Sequence, residues 1–218
     1  MKVLLVFKDS VATERMAICC QSAVLKNAGN EVKLWIMGVN SVEKLHEYMN
    51  EFSPDMVAFS AMTGEHIPLL KLNRELRHQY KFLSVWGGPH ATFAPELIEE
   101  DVVDAQCTGE GDLVFPELCR RVERREEYWL TPTFNVRYRG KIYRNALADL
   151  VPTLEDLPFP DRKILYDADS KLSELGTKFF SAARGCPYKC SYCFNALHTT
   201  KATRIRARSS AVERLDRW

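Results

Sequence analysis

The sequence predicts an α/β protein built on a doubly wound parallel sheet, and three observations predict it. Five short apolar runs of β type alternate with stretches of helical period. The first of those runs is continuous, as in a strand covered on both faces. A composition of 46% hydrophobic, 27% charged and 11% aromatic residues is that of a globular protein with a substantial core.

The elements follow in order. KVLLVF (2–7) reads as a buried strand. ERMAICCQSAVLKNAG then sets Met16, Cys19, Cys20, Ala23, Val24 and Leu25 at helical spacing, with Gly29 as the stop. EVKLWIM (31–37) is the second strand, and SVEKLHEYMNEF (41–52) is a helix with Ser41 at its N-cap. DMVAFSA (55–61) is a strand, HIPLLKLNRELRHQY (66–80) a helix, and FLSVWGG (82–88) a strand. APELIEE (94–100) is a short helix, VDAQC (103–107) the fifth strand, and DLVFPELCRRVERRE (112–126) a helix. Right-handed crossovers between parallel strands make this a flavodoxin-like or Rossmann-like domain over residues 1–126.

Beyond it, residues 127–176 read as a hairpin and a Pro-containing connector. TFNVRYRGKIYRN (133–145) carries Arg139-Gly140 at its turn, and ADLVPTLEDLPFPDRKILYD (148–167) is expected to be extended. A third segment, 177–218, opens with TKFFSAARG (177–185) as a strand running into a cysteine loop. It closes on a helix start with Ser209 or Ser210 as cap and Glu213 placed for a capping box.

A formal net charge of +1 leaves no global field for nucleic acid or an anionic membrane. The basic run Lys201, Arg204, Arg206 and Arg208 reads as a solvated segment, so a nucleic-acid partner is not expected. MKVLLVFKDS breaks at Lys8-Asp9, too early for a signal-peptide core or a membrane span, so the expected location is cytoplasmic.

Seven cysteines, an odd number without a secretion signal, suggest reduced thiols with a metal or reactive role. Cys19, Cys20, Cys107 and Cys119 are scattered, whereas Cys186, Cys190 and Cys193 form C-x3-C-x2-C within GCPYKCSYCFN. Three soft ligands from one loop suit an iron–sulfur cluster with one iron left open. Structural zinc takes four ligands, and His198 is a possible fourth, so zinc is the alternative.

Pro187 follows the first cysteine, Tyr192 precedes the third, and Asn195 lies two residues beyond it. With these flanks the loop resembles the signature of the radical S-adenosylmethionine superfamily. The resemblance implies a 4Fe-4S cluster on Cys186, Cys190 and Cys193, whose open iron binds the amino and carboxylate groups of S-adenosylmethionine. Reductive cleavage then yields a 5′-deoxyadenosyl radical. Tyr192 is expected against the cluster or the adenine, or as apolar cover, and Asn195 as a loop-orienting or cofactor-contacting residue.

An open parallel sheet binds ligands at the carboxyl ends of its strands. The loops there are FSAMTGEH (59–66), WGGPHAT (86–92) and CTGEGD (107–112). Gly87 and Gly88 permit close approach to the backbone, Ser60 and Thr63 offer hydroxyls, and Gly109-Glu110-Gly111 makes a tight turn. This order ahead of the cysteine loop resembles cobalamin-binding radical S-adenosylmethionine proteins. In that family a cobalamin-binding Rossmann-like domain precedes a partial (β/α) barrel, of which 177–218 would be the start.

The family's S-x-L and G-G elements, which hold the nucleotide tail of cobalamin, correspond to Ser60-Ala61-Met62 and Gly87-Gly88. The D-x-H-x-x-G loop of related domains is represented by KDSVATERMA (8–17), with Asp9 and no histidine, so cobalt would lack that lower ligand. His66 and His90 fall on the ligand edge, and His78 reads as a solvated helix residue.

The resemblance implies methyl transfer, or else cyclisation or rearrangement, on a small-molecule substrate, with an electron donor such as flavodoxin or ferredoxin. A complete barrel takes about 250 residues. The chain is therefore expected to be the front of a longer enzyme and not to sustain turnover alone. The rival readings are a non-catalytic cobalamin- or iron–sulfur-binding module and a zinc-binding Rossmann protein.

Overall fold

The computed structural model describes residues 1–9, 13–181, 183–186, 188 and 190–193, together with the backbone of 206–207. Asn195, His198, the side chains of the basic run and the helix start near 209 lie outside the described residues.

Strands β1 (Lys2–Lys8), β2 (Glu31–Met37), β3 (Met56–Ser60), β4 (Leu83–Gly87) and β5 (Ala105–Cys107) run parallel in the spatial order β2-β1-β3-β4-β5. Chain direction across the sheet reverses between β1 and β3, the switch point at which such sheets open a crevice. Helices α1 (Met16–Asn27) and α5 (Val114–Glu123) cover one face. The other face carries α2 (Val42–Glu47), α3 (His66–Gln79) and α4 (Gly88–Phe93).

The continuous apolar run of β1 follows from this cover. Val3, Leu5 and Phe7 pack with Ile18, Cys19 and Phe115, while Leu4 and Val6 pack with Leu45, Leu69 and Trp86. Successive side chains point to opposite faces, so both registers must be apolar.

Ser41 caps α2, its Oγ accepting from the Lys44 N–H at 3.2 Å, as the sequence predicts. The expected helix over 41–52 is α-helical only to Glu47 and continues as a π turn over Tyr48–Phe52.

After β4 the structure departs from expectation. The short helix predicted at 94–100 is instead a 3-10 turn at Pro95–Glu99, and an α-helix, α4, starts at once from Gly88. Gly88 takes φ +87°, which turns the chain sharply, and a proline in the first turn of α4 suits a helix start. Gln106 pins this segment to the sheet: Nε2 donates to the Ala91 and Ala94 carbonyls at 2.6 and 2.8 Å, and Oε1 accepts from the Ile98 N–H at 3.0 Å.

The hairpin of β6 (Phe134–Tyr138) and β7 (Lys141–Arg144) does not stand apart from the sheet. β6 pairs antiparallel with β5, so the sheet has seven strands. Arg139 and Gly140 both have positive φ, as a twist-matched two-residue turn requires.

The expected extended connector ends in two helices, α6 (Arg162–Ala168) and α7 (Ser170–Glu174). Ile164, Leu165 and Leu172 bury against the α1 face of the sheet, which outweighs the weak helical period of so short a stretch. The strand expected at 177–185 is confined to β8 (Ala183–Arg184), paired with β9 (Arg206–Ala207). Upstream, side chains hold the backbone instead of a ladder: the Phe179 N–H donates to Glu14 Oε2 at 3.0 Å, and the Phe179 carbonyl accepts from Arg162 Nη2. No helix among the described residues is long and apolar enough to cross a membrane.

Candidate functional site at the carboxyl edge of the sheet

The carboxyl ends of β1, β3, β4 and β5 surround a cavity of about 240 Å3 between the sheet and helices α1 and α5. Leu5, Ala58 and Val85 line it from the sheet, and Ile18, Gln21 and Phe115 from the helices. Ser60, Gly87, Gly88 and the turn Gly109–Asp112 line it from the strand-end loops, with Arg184 joining them. Of the residues singled out from the sequence, Ser60, Gly87, Gly88, Gly109, Glu110 and Gly111 are therefore brought together around one cavity.

The loops after β3 and β4 are fastened to each other. The Ala61 N–H donates to the Gly87 carbonyl at 3.1 Å, and the His90 N–H to the Ala61 carbonyl at 3.0 Å. A Cβ on Gly88 would lie 2.9 Å from the Ala61 carbonyl oxygen, so glycine is required there by contact as well as by φ. A Cβ on Gly87 would meet only Cys107 Cβ at 4.0 Å, so its smoothness serves the cavity and not the fold.

Met62 and Thr63 do not line this cavity; both are exposed on the outer side of the post-β3 loop. The Met62 N–H donates to Glu65 Oε2 at 3.0 Å, and Glu65 also pairs with Arg15 at 2.5 Å, tying the loop after β3 to the start of α1. Beside them the rings of His66 and His90 stack with centroids 3.6 Å apart and planes 15° apart. The Gly64 N–H donates to His66 Nδ1 at 3.1 Å, and His90 Nδ1 lies 3.2 Å from Thr63 Oγ1. Burial, and then the neighbouring His66 ring, hold His90 below the usual imidazole range.

Three residues in or beside this region escaped the sequence reading. Gln21 of α1 reaches the cavity with its Oε1 buried and without a hydrogen-bond partner. Arg184 donates to both oxygens of Asp112, which is buried in the loop after β5. Glu14, with a fully buried side chain, accepts from Arg162, from the Tyr166 hydroxyl and from the Phe179 N–H, and lies 3.8 Å from Lys178. In the register of D-x-H-x-x-G counted from Asp9, Val11 takes the histidine position and Glu14 the glycine position.

The cysteine loop lies directly beyond Arg184. Cys186, Cys190 and Cys193 are half-buried, and the Cys193 N–H donates to the Cys190 carbonyl at 3.0 Å. Among the described residues no three His, Cys, Asp or Glu side chains are gathered tightly enough to hold a metal ion, so the sulfurs are near in sequence but not closed into a ligand set. Tyr192 is 90% exposed and covers nothing among the described residues.

Comparison with known proteins bears on this edge of the sheet. The profile of the B12 binding domain family matches residues 7–119, which contain the end of β1, the whole of β2–β5 and the three ligand-edge loops. The chain is 27% identical over 172 residues to an uncharacterized methyltransferase of Pyrococcus horikoshii, covering 77% of this chain and 36% of that protein. It is 31% identical over 148 residues to the cobalamin-dependent radical SAM methyltransferase TokK of Streptomyces tokunonensis, covering 64% of this chain and 22% of TokK. The solved structure of the cobalamin-dependent S-adenosylmethionine radical enzyme OxsB with aqua-cobalamin bound superposes with a TM-score of 0.78 at 19% identity, covering 99% of this chain and 31% of OxsB. The last is a likeness of fold. The chain spans between about a fifth and two fifths of the length of these relatives.

Proposed function

The chain belongs to the B12 binding domain family, and from that premise we propose that it holds a cobalamin at the carboxyl edge of its sheet and serves a radical S-adenosylmethionine methyltransferase. The observation that carries the reading is the cavity beneath Ser60, Gly87-Gly88 and Gly109–Gly111, residues that all lie inside the stretch matched by the family. Its apolar floor of Leu5, Ala58 and Val85 suits a flat aromatic base, and the glycines at its mouth leave room for the chain that connects such a base to a corrin ring. The orphaned Gln21 amide supplies a polar group that awaits a partner.

Cys186, Cys190 and Cys193 offer the soft donors that a 4Fe-4S cluster needs and, being three, would leave one iron open for S-adenosylmethionine. When bound, the cluster supplies the electron that cleaves S-adenosylmethionine and the corrin carries the methyl group. This chain's own contribution is to bind and orient. Ser60 and the Gly87-Gly88 backbone would hold the nucleotide tail, and the Arg184–Asp112 pair would fix the approach of the cysteine loop to that edge. Cys20 and Cys107 also line the cavity. A small-molecule methyl acceptor and an electron donor such as flavodoxin or ferredoxin complete the reading.

The test is anaerobic purification of the 218-residue chain, incubation with hydroxocobalamin, and reconstitution with iron and sulfide. The expected result is retention of the corrin's visible bands through desalting and iron that is lost on Cys190→Ala. Loss of all corrin absorbance on desalting would overturn the cobalamin reading, and zinc in place of iron would overturn the cluster.

A further inference from the structure

Three buried side-chain polar atoms among the described residues lack a hydrogen-bond partner: Gln21 Oε1, Asn73 Oδ1 and Arg162 Nε. Of their residues only Gln21 belongs to the lining of the carboxyl-edge cavity. A buried unpaired amide oxygen is costly, so one beside a cavity is a place where a bound molecule can supply the missing partner.

The amide is held in place by packing. A Cβ on Gly111 would fall 3.0 Å from Gln21 Oε1 and 3.1 Å from Nε2, so the missing side chain of Gly111 is the space that the Gln21 amide occupies. Gly111 does not have a left-handed backbone, so contact and not conformation accounts for glycine there. Leu5, Ala58 and Val85 from the sheet and Ile18 and Phe115 from the helices form the apolar part of the wall, while Ser60, Glu110, Asp112 and Arg184 are polar members of it.

A primary amide offers an acceptor and a donor side by side. An adenine ring answers both at once, its exocyclic amine donating to the amide oxygen and its neighbouring ring nitrogen N1 accepting from the amide N–H. The methylated carbocycle of dimethylbenzimidazole answers neither and would seal the amide in unpaired.

We infer that this cavity selects the lower base of its corrinoid, and that the base it selects is adenine in preference to dimethylbenzimidazole. The inference rests on the cobalamin reading above and specifies it: Gln21 is the specificity residue and Gly111 the residue that seats it.

The chain is titrated with three corrinoids, one with adenine as lower base, one with dimethylbenzimidazole and one without a lower base, and binding is followed by quenching of tryptophan fluorescence. Adenosine monophosphate is the fourth probe, because it carries the same ring without a corrin. The adenine corrinoid should bind about tenfold tighter than the dimethylbenzimidazole form, the worth of one buried amide left unpaired. Gln21→Leu should reduce that ratio to about twofold or less, by weakening the adenine form and not the other. The wild-type ratio is itself decisive should the variant fail to fold.

Equal affinity for the two base-bearing corrinoids overturns the inference while leaving the cobalamin reading intact. Equal affinity for the corrinoid without a lower base also overturns it, since the cavity then holds no base. Tighter binding of adenosine monophosphate than of any corrinoid assigns the cavity to a free nucleotide and overturns it as well. Failure of every corrinoid to bind removes the cobalamin reading and the inference together.

Discussion

Arg184 donates to both carboxylate oxygens of Asp112, at 2.6 and 3.1 Å, and so ties the backbone two residues ahead of Cys186 to the loop after β5. Asp112 is 4% exposed, and although burial works against the arginine's charge, the hydrogen bonds and negative charge of Asp112 raise its pKa. Removing one partner strands the other. Arg184→Met should lower stability by about 3 kcal/mol, and Arg184→Met combined with Asp112→Leu should cost less than the two single changes added together. Urea denaturation of the four proteins measures this, and strict additivity would contradict the coupling.

Glu14 predicts an acid limit. Burial is the largest influence on its carboxyl and pushes its pKa up, but hydrogen bonds from Tyr166, the Phe179 N–H and Arg162 outweigh it and hold the group below its ordinary value of 4.5. A carboxyl depressed in the folded state contributes stability above its unfolded pKa and loses it as the pH falls through the folded value. The urea midpoint should therefore drop between about pH 5 and pH 3, and Glu14→Gln should flatten that drop while lowering the midpoint at neutral pH. Parallel curves for the two proteins would remove Glu14 from the explanation.

The paired glycines predict opposite failures. Gly88→Ala forces a side chain into φ +87° and against the Ala61 backbone, and should cost at least about 2 kcal/mol in thermal or urea unfolding. Gly87→Ala has ordinary backbone geometry and open space toward Cys107, so stability should change little. Its effect should appear instead in corrinoid affinity, measured by fluorescence quenching. If both substitutions behaved alike in unfolding, the contact with Ala61 would not be what matters.

Six of the seven thiols fall into two reactivity classes. Burial pushes Cys19 and Cys119 up to about 12 and Cys107 up to about 11, which suppresses the thiolate that reacts. Cys186, Cys190 and Cys193 are only half-buried. A brief pulse of iodoacetamide on the native apoprotein, read by peptide mass spectrometry, should label the three loop cysteines before Cys19, Cys107 and Cys119. Reconstitution with iron and sulfide should protect the loop and leave the buried set unchanged.

Where a residue's role is local, it could be read in the chain. The apolar runs 2–7 and 31–37 had to be strands because both of their faces are covered, and Ser41 had to cap because its hydroxyl reaches the Lys44 N–H. Gly87 and Gly88 stood out for the same reason, as paired glycines at a strand end. Where a role depends on distant partners, it could not. Arg184 meets Asp112 across 72 residues, and Arg162 meets Glu14 across 148. Neither pair leaves a periodic trace. Gln21 looked like any helix residue, since what distinguishes it is the empty space at Gly111. The helices α6 and α7 were hidden by prolines upstream and by burial of Ile164, Leu165 and Leu172 that only the folded sheet provides.

The fastening of the post-β3 loop to the post-β4 loop has a consequence for traffic through the cavity. With Ala61 bonded to Gly87 and His90 bonded to Ala61, those two loops form a fixed jamb. Any widening to admit a guest as large as a nucleotide would therefore fall to the opposite bank, the turn Gly109–Asp112, which is held by Arg184 on Asp112 and by the Phe115 N–H on the Gly111 carbonyl.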